Sequence, residues 1–280
     1  MNSTQSLSPT QSSSPTCTLV TAFYDFPKKK ASNSSYDTWI KNFLENTDSY
    51  MVIYTDSELT ADYLAGYRKN FQDKTKIYVE YLKDLYCYKY YDYWTKDLAR
   101  DHEKAYHNQH LYIIWNEKTM FMQKAYDRNP FNTDFYAWID IGMVRKTEYI
   151  KLLQSFPSSK RLQTLKKDKV YVMLINRFMI DELSQQVPTE TFRFKDRIGG
   201  GMILCSKEMI PIWTKEYYGM MDEFMKADLF AGKDQSIMAN IFLKYRTDLM
   251  ILVVARDLNV MDNIWFYMLY FLSDYYTYND

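Results

Sequence analysis

The sequence predicts an α/β fold: one domain with a mainly parallel central sheet flanked by helices. Three observations predict it. Short apolar runs alternate with segments whose apolar residues recur at helical spacing, the pattern of βαβ units. No linker and no internal repeat divides residues 17–280. The chain has 280 residues and is 47% hydrophobic, enough for one large core. Residues 1–16 are rich in Ser, Thr, Gln and Pro and read as a disordered tail.

The elements follow in order. Thr18 to Tyr24 reads as the first strand, and Asp25 to Asn33, with Pro27 and three lysines, as a loop. Tyr36, Trp39, Ile40, Phe43 and Leu44 mark a helix. Met51 to Tyr54 is a second strand, and Thr55-Asp56-Ser57 supplies capping chemistry for a helix through Leu59, Tyr63, Tyr67 and Phe71. Lys76 to Tyr81 is a third strand. Residues 83–112 hold all three histidines and read as helices beside the sheet or an insertion over it. Helical spacing resumes from Asn116 to Tyr126, and Asn129 to Asn132 is a turn. The second half offers a helix near Thr147 to Phe156 and strands at Val170 to Ile175, Met202 to Cys205 and Leu249 to Val254. Its other helices run through Trp213 to Phe224 and from Asp234-Gln235 to Phe242.

Composition excludes several function classes. Lys+Arg and Asp+Glu are both 35, so no basic excess points to nucleic acid. Cys17, Cys87 and Cys205 lie far apart with no CxxC, which predicts reduced thiols and a cytoplasmic location. No signal peptide pattern is present, and the run Ile264 to Leu272 is about half of what a bilayer span needs. That run reads as a core helix, with peripheral membrane contact as the alternative. His102, His107 and His110 lack the spacing of a helical zinc site and read as solvated. The Tyr86 to Tyr91 cluster reads as packing or as a platform for acceptor sugar rings.

Three features carry candidate chemistry. In Phe135 to Gly142, an apolar aromatic strand ends in Asp140, one spacer and a glycine; an unpaired carboxylate there is costly to desolvate unless it holds a cation or a ligand. Gly199-Gly200-Gly201 runs into a strand and otherwise reads as a flexible turn. Asp234-Gln235 opens a helix and otherwise reads as an N-cap.

Taken in order, these features resemble the layout of nucleotide-sugar glycosyltransferases with the GT-A fold, and the chain resembles the HtrL/YibB family of glycosyltransferase-like proteins. The matching stretches are Val20 to Tyr24, Ile114 to Lys118, Trp138 to Gly142, the glycine run and Asp234-Gln235, within about residues 18–255. The resemblance implies a nucleotide-binding half over 17–142 and an acceptor half over 143–280. It implies that Thr21, Ala22, Tyr24, Asp56, Trp138 and Gln235 lie against the donor, and that Phe23 or Tyr24 stacks on the base. Lys118 would neutralise the diphosphate, and Asp140 would hold Mn²⁺ or Mg²⁺. Gly200 and Gly201 would admit the sugar, and Asp234 would act as catalytic base. The usual Asp-x-Asp is here Asp140-Ile141-Gly142, so one carboxylate remains. The late acids Asp257 and Asp262, or the basic groups Lys118 and Arg145, would have to supplement it.

The implied function is transfer of a sugar, UDP-linked, to a glycan, glycolipid or glycoprotein acceptor. The alternative is a non-catalytic nucleotide-sugar or glycan-binding protein on the same fold. A nucleotidyltransferase would need glycines in Phe26 to Lys30, which has none.

Overall fold

The structure, a computed structural model, describes residues 14–25, 32–256, 258 and 261–277. Seven strands form one sheet: β1 (Cys17–Phe23), β2 (Tyr50–Thr55), β3 (Thr75–Val79), β4 (Phe135–Ile139), β5 (Val170–Leu174), β6 (Ile198–Ser206) and β7 (Met250–Val254). Their order is β3-β2-β1-β4-β6-β5-β7. All run in one direction except β6, which is antiparallel to both β4 and β5. The helices are α1 (Asn33–Leu44), α2 (Glu58–Tyr67), α3 (Tyr91–Arg100), α4 (Gln109–Arg128), α5 (Ser159–Gln163), α6 (Ile180–Leu183), α7 (Ile210–Lys226), α8 (Asp234–Tyr245) and α9 (Tyr267–Phe271). The α/β class and the mainly parallel sheet are as the sequence predicts.

The period-2 alternation of the strands splits the core into two layers. Val20, Ala22, Tyr136 and Trp138 join the cluster beneath α3, α4, α7 and α8. Leu19, Phe135, Ala137 and Ile139 join the opposite cluster with α1, α2, α5 and α9. Asp140 follows Trp138 by two residues and continues its parity, toward the layer that holds α4. Capping fixes the helix starts: Ser32, Ser57 and Asn108 each accept from a backbone N–H three residues on.

The antiparallel strand brings the glycine run to the end of β4. Ile139 pairs with Met202, and the Asp140 amide donates to the Gly201 carbonyl at 2.9 Å. On the other edge the β5 register jumps, from Val172 opposite Ile203 to Met173 opposite Gly199. That bulge releases Gly200 to Met202 from the β5 ladder and leaves the Gly200 carbonyl free for a side chain. None of the glycines has positive φ, so the run is a strand and not the flexible turn that was its other reading.

Several boundaries differ from expectation. Residues 1–13 of the expected tail lie outside the described residues, as do Phe26 to Lys30; Thr16 belongs to the domain, its amide donating to Asp134. The helix read from Asn116 begins seven residues earlier, because Asn108 caps it and the polar run Asn116-Glu117-Lys118 hides its periodicity. The segment near Thr147 is a 3-10 turn, Thr147–Leu153. Lys233, not Asp234, occupies the N-cap of α8. Tyr267 to Leu272 are buried in the core. No helix of the described residues is long and apolar enough to cross a membrane.

The start of β6 is anchored by Glu182 of α6, which is 1% exposed. It accepts from Arg197 Nη2 at 2.7 Å, Lys195 Nζ at 2.9 Å and the Met179 amide at 3.0 Å. Arg197 above all holds its carboxyl down to about 2, against the cost of burial. A carboxylate depressed in the folded state stabilises fully above its unfolded value and loses that contribution as pH falls through the folded one. Urea titrations should therefore show Glu182→Gln less stable at neutral pH by about 3 kcal/mol, since it leaves the largely buried Arg197 guanidinium without its carboxylate. The gap to wild type should close toward pH ~2. A gap independent of pH contradicts this.

Candidate functional site

Helix α4 carries three consecutive buried polar residues, and each has a separate task. Asn116 Oδ1 accepts from Tyr217 at 2.8 Å, while its Nδ2 donates to the Gly232 carbonyl at 3.3 Å, just ahead of α8. Glu117 accepts the Tyr86 and Cys87 amides at 3.0 and 2.8 Å, closing the turn before α3. Lys118, 4% exposed, reaches toward the sheet. Buried polar groups persist only when satisfied, and all three are.

The Lys118 ammonium has three donors and three partners. It donates to the Gly200 carbonyl at 2.8 Å and pairs with Asp234 Oδ2 at 3.0 Å and Asp140 Oδ1 at 3.2 Å. Burial alone would favour loss of its proton, but Asp140 and Asp234 outweigh burial and hold its pKa above the ordinary lysine value. The Asp140 oxygen also accepts from the Trp138 indole at 2.8 Å. Asp234 is the first residue of α8, where the helix N-terminus favours a carboxylate, and its Oδ1 accepts the Gln235 amide at 2.9 Å. Its Oδ2 makes no hydrogen bond of good geometry. Burial raises the Asp234 carboxyl above the usual carboxylate range, and the Lys118 ammonium opposes that.

The glycines make room for this cluster. A Cβ on Gly200 would lie 2.3 Å from Asp234 Oδ2, so only glycine fits. At Gly142 a Cβ would meet the rings of Trp39 and Tyr36 at 3.4 and 3.5 Å. Both are ordinary van der Waals contacts, so the glycine leaves the strand end one carboxylate short without the rings enforcing it.

Lys118, Asp140, Gly200, Gly201, Asp234 and Gln235 line one open cleft of about 430 Å³ at the carboxyl end of β4. Trp138 lies beneath it, 2% exposed, with its ring 5.8 Å from the Lys118 ammonium. Thr21, Ala22, Tyr24 and Asp56 stand at the same end of the sheet but do not line the cleft. Thr21 and Ala22 are buried within β1. The Tyr24 ring, offered by the sequence for base stacking, is 3% exposed, packs on Phe121 and donates its hydroxyl to the Glu80 carbonyl at 3.0 Å. Asp56 accepts the Asp25 amide at 3.1 Å.

The cleft also holds residues that sequence reasoning passed over. His107, expected to be solvated, is 4% exposed and pairs with Asp101. Tyr36, Trp115, Trp265 and Phe266 line the cleft and supply apolar surface. Arg145, weighed only as a stand-in for a cation, lies with its guanidinium 4.4 Å from the Trp39 ring and 4.8 Å from the Phe266 ring. No carboxylate of a described residue pairs with it. Lys233, by contrast, pairs with Glu103 at 2.6 Å. A run of polar residues inside an otherwise apolar helix was the one signal for Asn116 and Glu117.

The donor set bears on the expected metal. No group of three or more His, Cys, Asp or Glu side chains able to hold an ion forms among the described residues. Asp262 is taken by Lys146 and Tyr149, and Asp257 lies outside the described residues. Asp140 Oδ2 makes no hydrogen bond to a described residue, and its side chain is 43% exposed. One free carboxylate oxygen fits a cation that completes its shell from a diphosphate and water.

Lys118→Met should destabilise the fold by about 3–5 kcal/mol in denaturant titrations, because it leaves two carboxylates facing each other without their cation. Asp234→Asn added to it should recover part of that loss. A Lys118→Met protein as stable as wild type would mean the cluster is not ionised as described.

Among solved structures, one of the galactosyltransferase LgtC in complex with donor and acceptor sugar analogs is similar at a TM-score of 0.45 and 9% identity. The match covers 85% of this chain and 73% of that one. No curated protein matches the chain. The model of a family described as "bacterial protein of unknown function (HtrL_YibB)" matches residues 15–256. The chain therefore belongs to the HtrL/YibB family.

Proposed function

We propose that this protein transfers a sugar from a nucleoside diphosphate donor, UDP-linked in the first instance, to a hydroxyl of a glycan, glycolipid or glycoprotein. The observation that carries the reading is the Lys118 cluster. A buried ammonium joins two carboxylates over a strand without side chains, at the floor of an open cleft. That cleft lies at the carboxyl ends of the strands, where open α/β sheets bind ligands, and its volume suits a small-molecule site.

The chemistry asks for charge stabilisation at a leaving diphosphate and for a tightly placed sugar. Arg145 is the unpaired cation of the cleft among the described residues, and its planar fork suits a phosphate. Asp140 would hold Mn²⁺ or Mg²⁺ through its free oxygen, and when bound that ion would neutralise charge on the diphosphate. Gly201 lets the sugar ring approach the backbone, while the space beside Gly200 is given to Asp234. Asp234 Oδ2, buried and 3.0 Å from the Lys118 ammonium, holds that ammonium in place. Lys118 keeps its charge beside both carboxylates and fixes them, so little reorganises when the donor arrives.

The second reading is a binding protein without turnover. Gly142 in the place of a second acid favours it, since Asp140 then offers a cation a single free oxygen among the described residues.

Thermal-shift titration with UDP and UDP-sugars, with and without Mn²⁺, tests the proposal. Binding should raise stability by about 2.7 kcal/mol at one hundred times Kd. If no nucleoside diphosphate shifts the melting temperature under either condition, the proposal falls. If UDP-sugars bind but none is hydrolysed or transferred, the second reading stands.

Calorimetry separates the residues. Arg145→Met should weaken UDP by roughly tenfold, the loss of one charge-assisted contact, while leaving uridine unchanged. Asp140→Asn should abolish any tightening of UDP by Mn²⁺. Unchanged UDP affinity in Arg145→Met, or a persisting Mn²⁺ effect in Asp140→Asn, would remove that residue from the diphosphate site.

A further inference from the structure

We infer that His107, oriented by Asp101, is the catalytic base that takes the proton of the acceptor hydroxyl. The inference rests on the transferase reading and adds a residue that neither the motifs nor the resemblance supplied.

Asp101 closes the C-terminus of α3 and is 2% exposed. Its Oδ1 accepts the Glu103 amide at 2.8 Å, and its Oδ2 accepts the Tyr112 hydroxyl and His107 Nδ1, the latter at 2.8 Å. Burial opposes its charge, but the bonds from His107 and Tyr112 and from the Glu103 amide outweigh that and hold its carboxyl well below the usual range. An ionised carboxylate only accepts, so Nδ1 carries the hydrogen and the lone pair of the neutral ring is on Nε2. The ring is held edge-on against Trp115, with centroids 4.9 Å apart.

His107 lines the same cleft as Lys118, Asp140 and Asp234. Its Nε2 lies 3.9 Å from Glu103 Oε2, beyond hydrogen-bonding distance, and that oxygen is taken by Lys233 at 2.6 Å. No described residue hydrogen-bonds Nε2. A buried imidazole with one nitrogen fixed to a carboxylate and the other open to a cleft is the arrangement of an oriented general base. Asp234, the acid expected for this task, is less suited: one oxygen accepts the Gln235 amide and the other faces the Lys118 charge.

The step balances as follows. The acceptor O–H proton passes to Nε2, and the oxygen lone pair forms the bond to the anomeric carbon. The bond from that carbon to the phosphate oxygen breaks, and its electron pair leaves on the nucleoside diphosphate. Asp101 stabilises the imidazolium that results. Among the described residues, the ionisable groups facing the ring are Asp101, Glu103 and Tyr112, with Lys233 behind Glu103 and Tyr106 in the same wall.

The test follows UDP release from UDP-glucose and UDP-galactose, with water and methyl glycosides as acceptors, across a pH series. Wild type, His107→Gln, His107→Ala and Asp101→Asn are compared, and thermal shift by UDP reports folding and donor binding in each. His107→Gln should keep the UDP shift, lose turnover by roughly a hundredfold or more and lose the limb that an imidazole base gives the pH–rate profile. Added imidazole should restore part of the turnover of His107→Ala, which a purely structural histidine does not allow. Asp101→Asn should lower turnover and displace the limb. Turnover of His107→Gln within threefold of wild type, or an unaltered limb, overturns the inference. A wild type that binds UDP and turns over no donor overturns the transferase reading instead, and the inference with it.

Discussion

The site depends on one buried ammonium. Lys118 joins α4 to the end of β4, to the bulge of β6 and to the first turn of α8 through three contacts of 2.8, 3.0 and 3.2 Å. Each partner would be unfavourable alone: two carboxylates close together, and a strand carbonyl without a ladder partner. Lysine satisfies all three, and it does so only because β6 runs against its neighbours and carries no side chain at Gly200. Desolvation makes such a cluster costly to break and slow to rearrange, which suits a site that must be formed before its ligand arrives.

Around that centre the cleft divides its labour by element. The sheet supplies Asp140 and the glycine floor, and α8 supplies Asp234. The stretch from Asp101 to Trp115 supplies a wall of imidazole, indole and carboxylate, while Tyr36, Arg145 and the Asn263 to Phe266 turn supply another. A site lined by elements so far apart in sequence requires the whole sheet order, so its geometry is a property of the fold and not of a local motif.

The sheet was legible because its strands are apolar runs of the right length, with capping chemistry such as Ser57 following β2. Asp140, Gly200 and Asp234 were legible for a different reason: an acid at a strand end and a bare glycine run break local rules, and such breaks gather at functional sites. The start of α4 was not, since Asn116, Glu117 and Lys118 look solvent-facing until their partners, 30 to 116 residues away, are brought in. His107 was hidden likewise, because its meaning lies in Asp101 and in a cleft no spacing rule describes. Tyr24 erred in the other direction; an aromatic at a strand end suggested a stacking surface, but packing enclosed it.

The most direct measurement is a crystal structure with UDP and Mn²⁺ bound. The account predicts the diphosphate above Gly200 and Gly201, reached by Asp140 through the ion and by Arg145 directly, with Lys118 still bound to Asp234 and the Gly200 carbonyl. A diphosphate bound elsewhere, with the Lys118 cluster untouched by the ligand, would contradict it.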